Sequence, residues 1–279
     1  MTTCIYDLHC HSTASDGALN PEALVQLAFK QAVSTLALTD HDTTAGLNEA
    51  KITANRVDIN LIPGIEISTT WNNKCFHIVG LNINPEDPNL QKGIKSLQTT
   101  RLERAELIAD QLEKYGVGKN IGALIMKSVN GGMVTRTHFA QYLVDQGYGK
   151  NIRDIFKHFL VRGKPGFVAT RWAKLEDVIA WINDAGGVAI IAHPMRYKLN
   201  ANGMRNFLSA FKAAGGKAIE VVCGSNSDQD TRNTAELARR HGLLGSVGSD
   251  FHSPKNTWTT LGKLAPLPKG IEPVWSSFS

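Results

Sequence analysis

The sequence Tyr6-Asp7-Leu8-His9-Cys10-His11 places one carboxylate and two imidazoles at alternate positions of a short segment. Successive side chains of a β-strand point to opposite faces, so Asp7, His9 and His11 are expected on one face and Cys10 on the other. Buried imidazoles and carboxylates are costly unless they are paired or bind a metal. The segment therefore predicts a strand that contributes ligands to a metal site, with Cys10 in the core.

The same residue types recur at the ends of other apolar segments. Asp40 and His41 follow residues 35–39, and His193 ends the apolar run that begins at residue 187. In barrels of alternating strands and helices, sites are built at the carboxyl ends of the strands. We therefore expect each candidate ligand to lie at or just beyond the carboxyl end of its strand. The candidate metal ligands are His9, His11, Asp16, His41, Glu66, His77, His193, Asp250 and His252.

Apolar strands and amphipathic helices alternate along most of the chain. Asn20, Pro21 and Glu22 supply a capping residue, a proline for the first turn and an acid near the positive end of the helix dipole. Strands are expected at residues 35–39, 61–68, 76–83, 188–192, 218–222 and 243–247, and later helices at 44–55, 175–185, 204–214 and 228–241. This order predicts an α/β fold with a largely parallel sheet.

Residues 95–170 depart from this alternation, because their apolar residues recur at helical spacing in consecutive segments. We predict a helical subdomain here, inserted into a barrel formed by residues 1–94 and 171–279. Residues 95–171 contain 13 Lys and Arg against 6 Asp and Glu, a net charge of +7, whereas the whole chain carries +5. A basic lobe beside a metal site favours a polyanionic substrate, nucleic acid or a phosphorylated nucleotide. The alternative is an ordinary solvated basic surface.

Composition restricts the class of protein. A chain of 279 residues, 42% hydrophobic and 20% charged, is typical of a soluble globular protein with a substantial core. No apolar run approaches the roughly 20 residues of a membrane span, and the N-terminus has no signal-peptide pattern. The four cysteines include no Cys-x-x-Cys pair, which argues against a zinc ribbon or a disulfide framework. We expect a cytoplasmic protein, with no membrane or protein partner indicated.

The candidate ligands stand in short motifs that follow one another in a fixed order. The motifs are Asp7-x-His9-x-His11, Asp16, Thr39-Asp40-His41-Asp42, Pro63-Gly64-Ile65-Glu66, His77, Ala192-His193-Pro194 and Gly248-Ser249-Asp250-x-His252. This set resembles that of the PHP (polymerase and histidinol phosphatase) phosphoesterases. Residues 131–139 and 160–164 are similar to segments of the TrpH/YciV-like branch, which is related to RNase AM. The resemblance implies an α/β fold, a distorted (β/α)7 TIM-like barrel with an inserted helical subdomain.

The same resemblance implies up to three divalent ions, of which Mn²⁺ is favoured over Fe²⁺, Zn²⁺ or Mg²⁺. One ion would bind His9, His11, Glu66 and Asp250. A second would share Glu66 and add His77 and His193, and a third would bind Asp16, His41 and His252. Asp7 and Asp40 are expected as catalytic residues that orient the ligand imidazoles.

Substrate contacts are expected outside the metal cluster. Arg136 stands at the start of a predicted helix, Arg162 lies in a loop of the insert, and Arg196 follows the ligand His193. Guanidinium groups suit phosphate geometry, so these three residues are the candidate substrate-binding residues.

Relatives in this branch suggest one reaction with two kinds of substrate. They break the bond between phosphorus and the 3′-oxygen of a 5′-phosphorylated nucleoside, either in 3′,5′-nucleoside bisphosphates such as pAp or at the 5′ end of RNA. We expect a metal-bound hydroxide as the nucleophile, and the basic insert favours RNA as the longer substrate. The alternatives are a small-metabolite phosphatase, such as a histidinol-phosphate phosphatase, and a metal-binding module without catalysis.

Overall fold

The computed structural model describes residues 4–129, 132–256 and 258–278, so Gly131 of the family-like segment 131–139 lies outside the described residues. Its centre is a strongly curved sheet whose main path follows the order β1-β2-β3-β4-β6-β7-β8. The strands are β1 Tyr6–Cys10, β2 Thr35–Leu38, β3 Asn60–Trp71, β4 Lys74–Leu81, β5 Ala173–Lys174, β6 Val188–Ile191, β7 Ala218–Cys223 and β8 Leu244–Gly248.

The first and last strands meet and close the sheet into a barrel. The backbone N–H of Asp250 donates to the carbonyl of His9 at 2.8 Å, and that of His11 donates to the carbonyl of Phe251 at 2.9 Å. The two-residue β5 lies off the main path and pairs with the end of β3. The expected distorted barrel with seven principal strands is confirmed.

One strand interrupts the parallel order. β4 runs antiparallel to both of its neighbours, β3 and β6, whereas the other neighbouring pairs on the main path are parallel. A tight hairpin through Asn72 and Asn73, both with positive φ, joins β3 to β4 and forces this reversal. The expectation that every ligand follows the carboxyl end of its strand is therefore wrong for two residues. Glu66 lies in the middle of the long β3, and His77 lies in the first half of β4.

Helices surround the barrel. They are α1 Pro21–Lys30, α2 Leu47–Val57, α3 Pro88–Lys114, α4 Ile121–Ser128, α5 Arg136–Asp145, α6 Ile152–Ile155 with a π-helical continuation Phe156–Leu160, α7 Leu175–Asp184, α8 Ala201–Ala213 and α9 Asp228–His241. The predicted cap of α1 is confirmed, because the side chain of Asn20 accepts a hydrogen bond from the backbone N–H of Ala23. Within the described ranges, no helix is both long and apolar enough to cross a membrane.

The 27-residue helix α3 connects the barrel to the helical insert. Its first half packs Leu90 and Ile94 into the core outside the barrel, together with α7 and α8. Its second half packs Ile108 and Leu112 into a separate apolar cluster with Phe139 of α5. The predicted boundary at residue 95 thus falls inside a continuous helix, which positions the insert beside the barrel rim.

Candidate active site

Glu66 is the centre of the site. Its side chain is fully buried, and its two oxygens lie within 3.4 Å of nitrogens of five imidazoles, those of His9, His11, His41, His77 and His193. Burial by itself raises the pKa of this carboxyl group, but the surrounding histidines outweigh burial and hold the pKa well below its ordinary value. Glu66 is therefore an anion, and it faces ligands from four other strands or strand ends.

Two further carboxylates extend this cluster along the rim. Oδ1 of Asp250 lies 3.2 Å from Nε2 of His11 and 3.5 Å from Nε2 of His9. Oδ1 of Asp16 lies 3.3 Å from Nε2 of His252. Asp16 lies on the loop that follows β1, and Asp250 follows β8. Because β1 and β8 meet where the barrel closes, both carboxylates reach the same site.

In the part of the chain that the structure describes, three groups of donor atoms lie close enough together to hold an ion. The first is His9, His11, Glu66 and Asp250, the set expected for the first ion. The second is His41, Glu66 and His77, with His193 also touching Glu66, and the third is His11, Asp16, His41 and His252. The structure therefore differs from the expected allocation, because His41 and His11 each belong to two groups. Ions bound by these groups would share His11, His41 and Glu66 as ligands.

The donor atoms fit divalent cations. Among the described residues, several buried polar atoms of the cluster have no hydrogen-bond partner, and they are His11 Nδ1, Asp16 Oδ1, His41 Nδ1, Glu66 Oε2 and His193 Nδ1. Buried atoms of this kind are rarely left unpaired, because desolvation costs about 1–3 kcal/mol for each group. Mixed imidazole and carboxylate donors suit manganese, iron or zinc better than calcium.

The expected role of Asp7 and Asp40 is wrong, since in the described structure neither carboxylate bonds to an imidazole. Asp7 accepts hydrogen bonds from the backbone N–H groups of Ser249 and Gly262, both at 2.8 Å. Asp40 accepts from the backbone and hydroxyl of Ser12 and from another serine of the same loop. The backbone amides thus occupy the carboxylates that the resemblance assigned to the ligand imidazoles, and the register of β1 against β2 shifts after Asp7. Burial raises the pKa of each of these two carboxyl groups to about 6.

Glu220 of β7, and not Asp7 or Asp40, is the carboxylate that contacts and orients a ligand imidazole. Oε1 lies 3.0 Å from Nδ1 of His9, and Oε2 accepts a hydrogen bond from the backbone N–H of His193 at 2.6 Å. A Cβ atom added at Gly248 would come within 2.5 Å of Oε1 of Glu220 and 2.3 Å of Cβ of His9, so only glycine leaves room for this pair. The sequence signal was an acidic residue in the otherwise apolar segment 218–223.

A cavity of about 330 Å³ lies between the metal-ligand cluster and the insert. Asp16, His41 and His77 line one side, and arginines of the insert line the other. The guanidinium group of Arg101 already has partners within the protein. Its Nε donates to Asp42 at 2.6 Å, and its Nη2 donates to Ser68 at 2.9 Å. The other lining arginines are Arg104, Arg136 and Arg162.

Arg104 and Arg136 bring positive charge to this cavity without a carboxylate partner among the described residues. Nε of Arg104 is buried and has no hydrogen-bond partner. Burial and the neighbouring Arg136 lower the pKa of Arg104 to about 9, and burial also lowers the pKa of Arg136. Aromatic rings support both guanidinium groups, with Arg104 5.3 Å from the ring of Trp172 and Arg136 5.5 Å from that of Phe156. Two partly buried guanidinium groups without a carboxylate partner, beside a cavity, favour an anionic ligand.

The three arginines expected to bind substrate lie in different places. Arg136 and Arg162 line the cavity, whereas Arg196 forms an ion pair with Asp250 and donates from Nη2 to Ser225 at 2.8 Å. Sequence reasoning missed Arg101 and Arg104. Their spacing of three residues on a predicted helix, which places both on one face, was the available signal.

Known proteins are similar to this chain in sequence and in fold. The sequence model of the PHP domain matches residues 7–190. A 3′,5′-nucleoside bisphosphate phosphatase of Chromobacterium violaceum is 44% identical over 96% of this chain and 94% of its own length. A 5′-3′ exoribonuclease of Haemophilus influenzae is 46% identical over 98% of both chains. The structure of an amidohydrolase from Chromobacterium violaceum with bound sulfate superimposes with a TM-score of 0.93 at 43% identity, over 99% of this chain and 96% of that one.

The closed barrel and its rim of imidazoles and carboxylates define a metal-dependent phosphoesterase. The similarity extends over nearly the whole length of the relatives and includes the helical insert. The chain belongs to the PHP domain family.

Proposed function

We propose that this protein hydrolyses the bond between phosphorus and the 3′-oxygen of a 5′-phosphorylated nucleoside. On RNA, this reaction would make it a 5′-3′ exoribonuclease that releases nucleoside 5′-monophosphates. On a 3′,5′-nucleoside bisphosphate such as pAp, the same reaction would release inorganic phosphate. Relatives that match nearly the whole chain carry both of these activities in their names, which supports one site acting on both substrates.

The observation that carries the proposal is the position of Arg104 and Arg136 relative to the metal ligands. Both arginines line the cavity that His41 and His77 also line, so a ligand there reaches the cations and the metal-ligand cluster at once. A 5′-phosphate held by the arginines leaves the 3′ side of the same nucleotide free to face the cluster. From the sequence we expected the net positive charge of the insert to attract a polyanion. In this proposal, two of its arginines bind one particular phosphate, the 5′-phosphate.

The size of the cavity supports recognition of a single terminal nucleotide. Its volume of about 330 Å³ is near the lower end of small-ligand sites, which occupy about 300–1,000 Å³. Phe156, Phe167 and Trp172 contribute aromatic rings to its lining. Such rings stack on bases without strong sequence preference. We propose that this site takes one nucleotide at a time from a 5′ end.

We propose that the cluster holds up to three divalent cations. Its mixed nitrogen and oxygen donors suit Mn²⁺, Fe²⁺ or Zn²⁺, and the resemblance to the PHP phosphoesterases favours Mn²⁺ among them. When bound, such cations polarise phosphoryl oxygens and lower the pKa of water. The protein itself contributes orientation. Glu220 directs the ring of His9 towards the cluster, and Arg196 restrains the carboxylate of Asp250. Arg104 and Arg136 hold the 5′-phosphate, so that only the 3′ ester is presented for cleavage.

A panel of substrates tests the proposal. Protein supplied with Mn²⁺ is incubated separately with pAp, a 5′-phosphorylated oligoribonucleotide and histidinol phosphate, and the products are separated by chromatography. We expect phosphate from pAp, nucleoside 5′-monophosphates from the oligoribonucleotide, and little turnover of histidinol phosphate, which has no 5′-phosphate for the arginines. Preferential hydrolysis of histidinol phosphate would instead make the protein a small-metabolite phosphatase.

A further inference from the structure

Two threonines of the insert hold a carboxylate of the metal-ligand cluster. Oδ2 of Asp16 accepts hydrogen bonds from Oγ1 of Thr135 at 3.0 Å and from Oγ1 of Thr137 at 2.8 Å. The other oxygen, Oδ1, is buried without a hydrogen-bond partner and faces His252 at 3.3 Å. One oxygen is thus fixed by the insert, and the second is presented to the group His11, Asp16, His41 and His252.

The loop that carries Asp16 rests on the insert at a second point. The backbone N–H of Met133 donates to the carbonyl of Ala14 at 2.9 Å. A Cβ atom added at Gly132 would lie 2.7 Å from the carbonyl oxygen of Thr13, so the two backbones approach as closely as glycine allows. The insert therefore forms part of the support of a barrel-rim loop that contains a metal ligand.

The same two threonines flank an arginine of the proposed nucleotide cavity. Thr135 caps helix α5, and its hydroxyl accepts from the backbone N–H of Thr137 while donating to Asp16. His138 completes the capping box by accepting from the backbone N–H of Thr135. Arg136 lies between the two threonines and lines the cavity. A phosphate bound at Arg136 would therefore contact the same helical turn that donates both hydrogen bonds to Asp16.

We infer that Thr135 and Thr137 are positioning residues that couple two binding events. A cation bound by His11, Asp16, His41 and His252 and a nucleotide bound at Arg136 strengthen each other through the first turn of α5. Coupling of this kind is reciprocal, because each ligand must change the affinity of the other by the same factor. The claim that a bound nucleotide strengthens cation binding rests on the proposed function. The claim that Thr137 positions Asp16 for a cation does not.

Mn²⁺ binding measured without turnover tests both halves. Free Mn²⁺ is followed by electron paramagnetic resonance during titration of the full-length protein, with and without adenosine 5′-monophosphate. The variants are Thr137→Val, which keeps the shape but removes the hydroxyl, and Thr137→Ser, which restores it. Thr13→Val is the matched control, because it makes the same chemical change at an exposed residue of the loop that carries Asp16.

In the titration without nucleotide, we expect Thr137→Val to weaken one class of Mn²⁺ sites by about 10- to 100-fold, as loss of a group that supports a metal ligand does. Thr137→Ser and Thr13→Val are expected to bind as the wild type does. Equal Mn²⁺ affinity of Thr137→Val and the wild type would overturn the positioning role, whatever the substrate proves to be.

In the titration with nucleotide, we expect adenosine 5′-monophosphate to tighten that class of sites at least about fivefold in the wild type and in Thr137→Ser. The tightening is expected to fall in Thr137→Val. An unchanged nucleotide effect in Thr137→Val, or no effect in the wild type, would overturn the coupling. Either result leaves the hydrolysis of RNA and pAp to be judged by the substrate panel.

Discussion

Nδ1 of His9 lies 3.0 Å from Oε1 of Glu220, and both side chains are buried. When Nδ1 of His9 carries the proton and donates a hydrogen bond to this carboxylate, the lone pair of Nε2 is free to bind a metal ion. Nε2 faces Glu66 and Asp250. The second oxygen of Glu220 accepts from the backbone of His193, where φ is +30°. One carboxylate of β7 therefore orients ligands that come from β1 and from the end of β6.

The variant Glu220→Gln is expected to bind metal more weakly. An amide offers a weaker acceptor to Nδ1 of His9 and to the backbone of His193, and loss of such an orienting group lowers metal affinity by about 10- to 100-fold. Calorimetric titration with Mn²⁺ measures the change. Glu236→Gln, at an exposed position of α9, is the control. Unchanged affinity in Glu220→Gln would mean that the ring of His9 needs no carboxylate to orient it.

The variant Arg104→Met is expected to lose preference for a 5′-phosphate. The change keeps an unbranched side chain but removes a charged donor, and hydrogen bonds to charged groups contribute about 1.5–3 kcal/mol. We expect kcat/KM for a 5′-phosphorylated oligoribonucleotide to fall roughly 10- to 150-fold, since about 1.4 kcal/mol is a factor of ten. Cleavage of a 5′-hydroxyl oligoribonucleotide should change little. Arg153→Met, at an exposed position of α6, is the control, and equal losses on both substrates would contradict the assignment.

The variant Gly248→Ala is expected to destabilise the barrel near the site. Its methyl group would meet Cβ of His9 at 2.3 Å and Oε1 of Glu220 at 2.5 Å. Overpacking of this kind costs about 1–3 kcal/mol of unfolding free energy, which urea denaturation measures. Gly122→Ala in α4 is the comparison, because its added Cβ meets only Ala109, at 3.3 Å. Equal stability of Gly248→Ala and the wild type would contradict this expectation. It would show that the side chains of His9 and Glu220 can move apart to admit the methyl group without a loss of unfolding free energy.

Removal of metal is expected to lower both stability and activity. Ions that bind only the folded state stabilise it by about 4.1 kcal/mol when present at about 1,000 times the dissociation constant. We therefore expect a chelator to lower the Tm by several degrees and to abolish hydrolysis, and added Mn²⁺ to restore both. A chelated protein with unchanged Tm and unchanged turnover would contradict a metal-dependent mechanism.

Most of the candidate ligands could be predicted because they stand in short local patterns. His9 and His11 alternate along one strand, and Asp250 and His252 follow the last one, so the rim and its chemistry could be predicted without long-range information. The antiparallel course of β4 could not be predicted in this way. Strand direction within a closed sheet depends on pairing with both neighbours, which local patterns do not encode.

Residues that position a metal ligand without binding the metal themselves were harder to predict from the sequence. Glu220 is isolated in an apolar strand, and only the folded barrel brings it to His9, 211 positions away in the chain. In the sequence, Thr135 and Thr137 stand only near the predicted start of a helix, and the fold is what brings both hydroxyl groups to Asp16. Asp7 illustrates the opposite error, because it stands in the right motif but its carboxylate binds backbone amides instead of an imidazole.

The most direct test of the account compares two oligoribonucleotides of the same sequence, one with a 5′-phosphate and one with a 5′-hydroxyl. Each is incubated with the Mn²⁺-supplied protein, and products are resolved at single-nucleotide length over time. We predict stepwise release of nucleoside 5′-monophosphates from the 5′ end of the phosphorylated strand, with the hydroxyl strand cut far more slowly. Equal cleavage of both strands, or cuts at internal positions from the first time point, would contradict recognition of a terminal 5′-phosphate by Arg104 and Arg136.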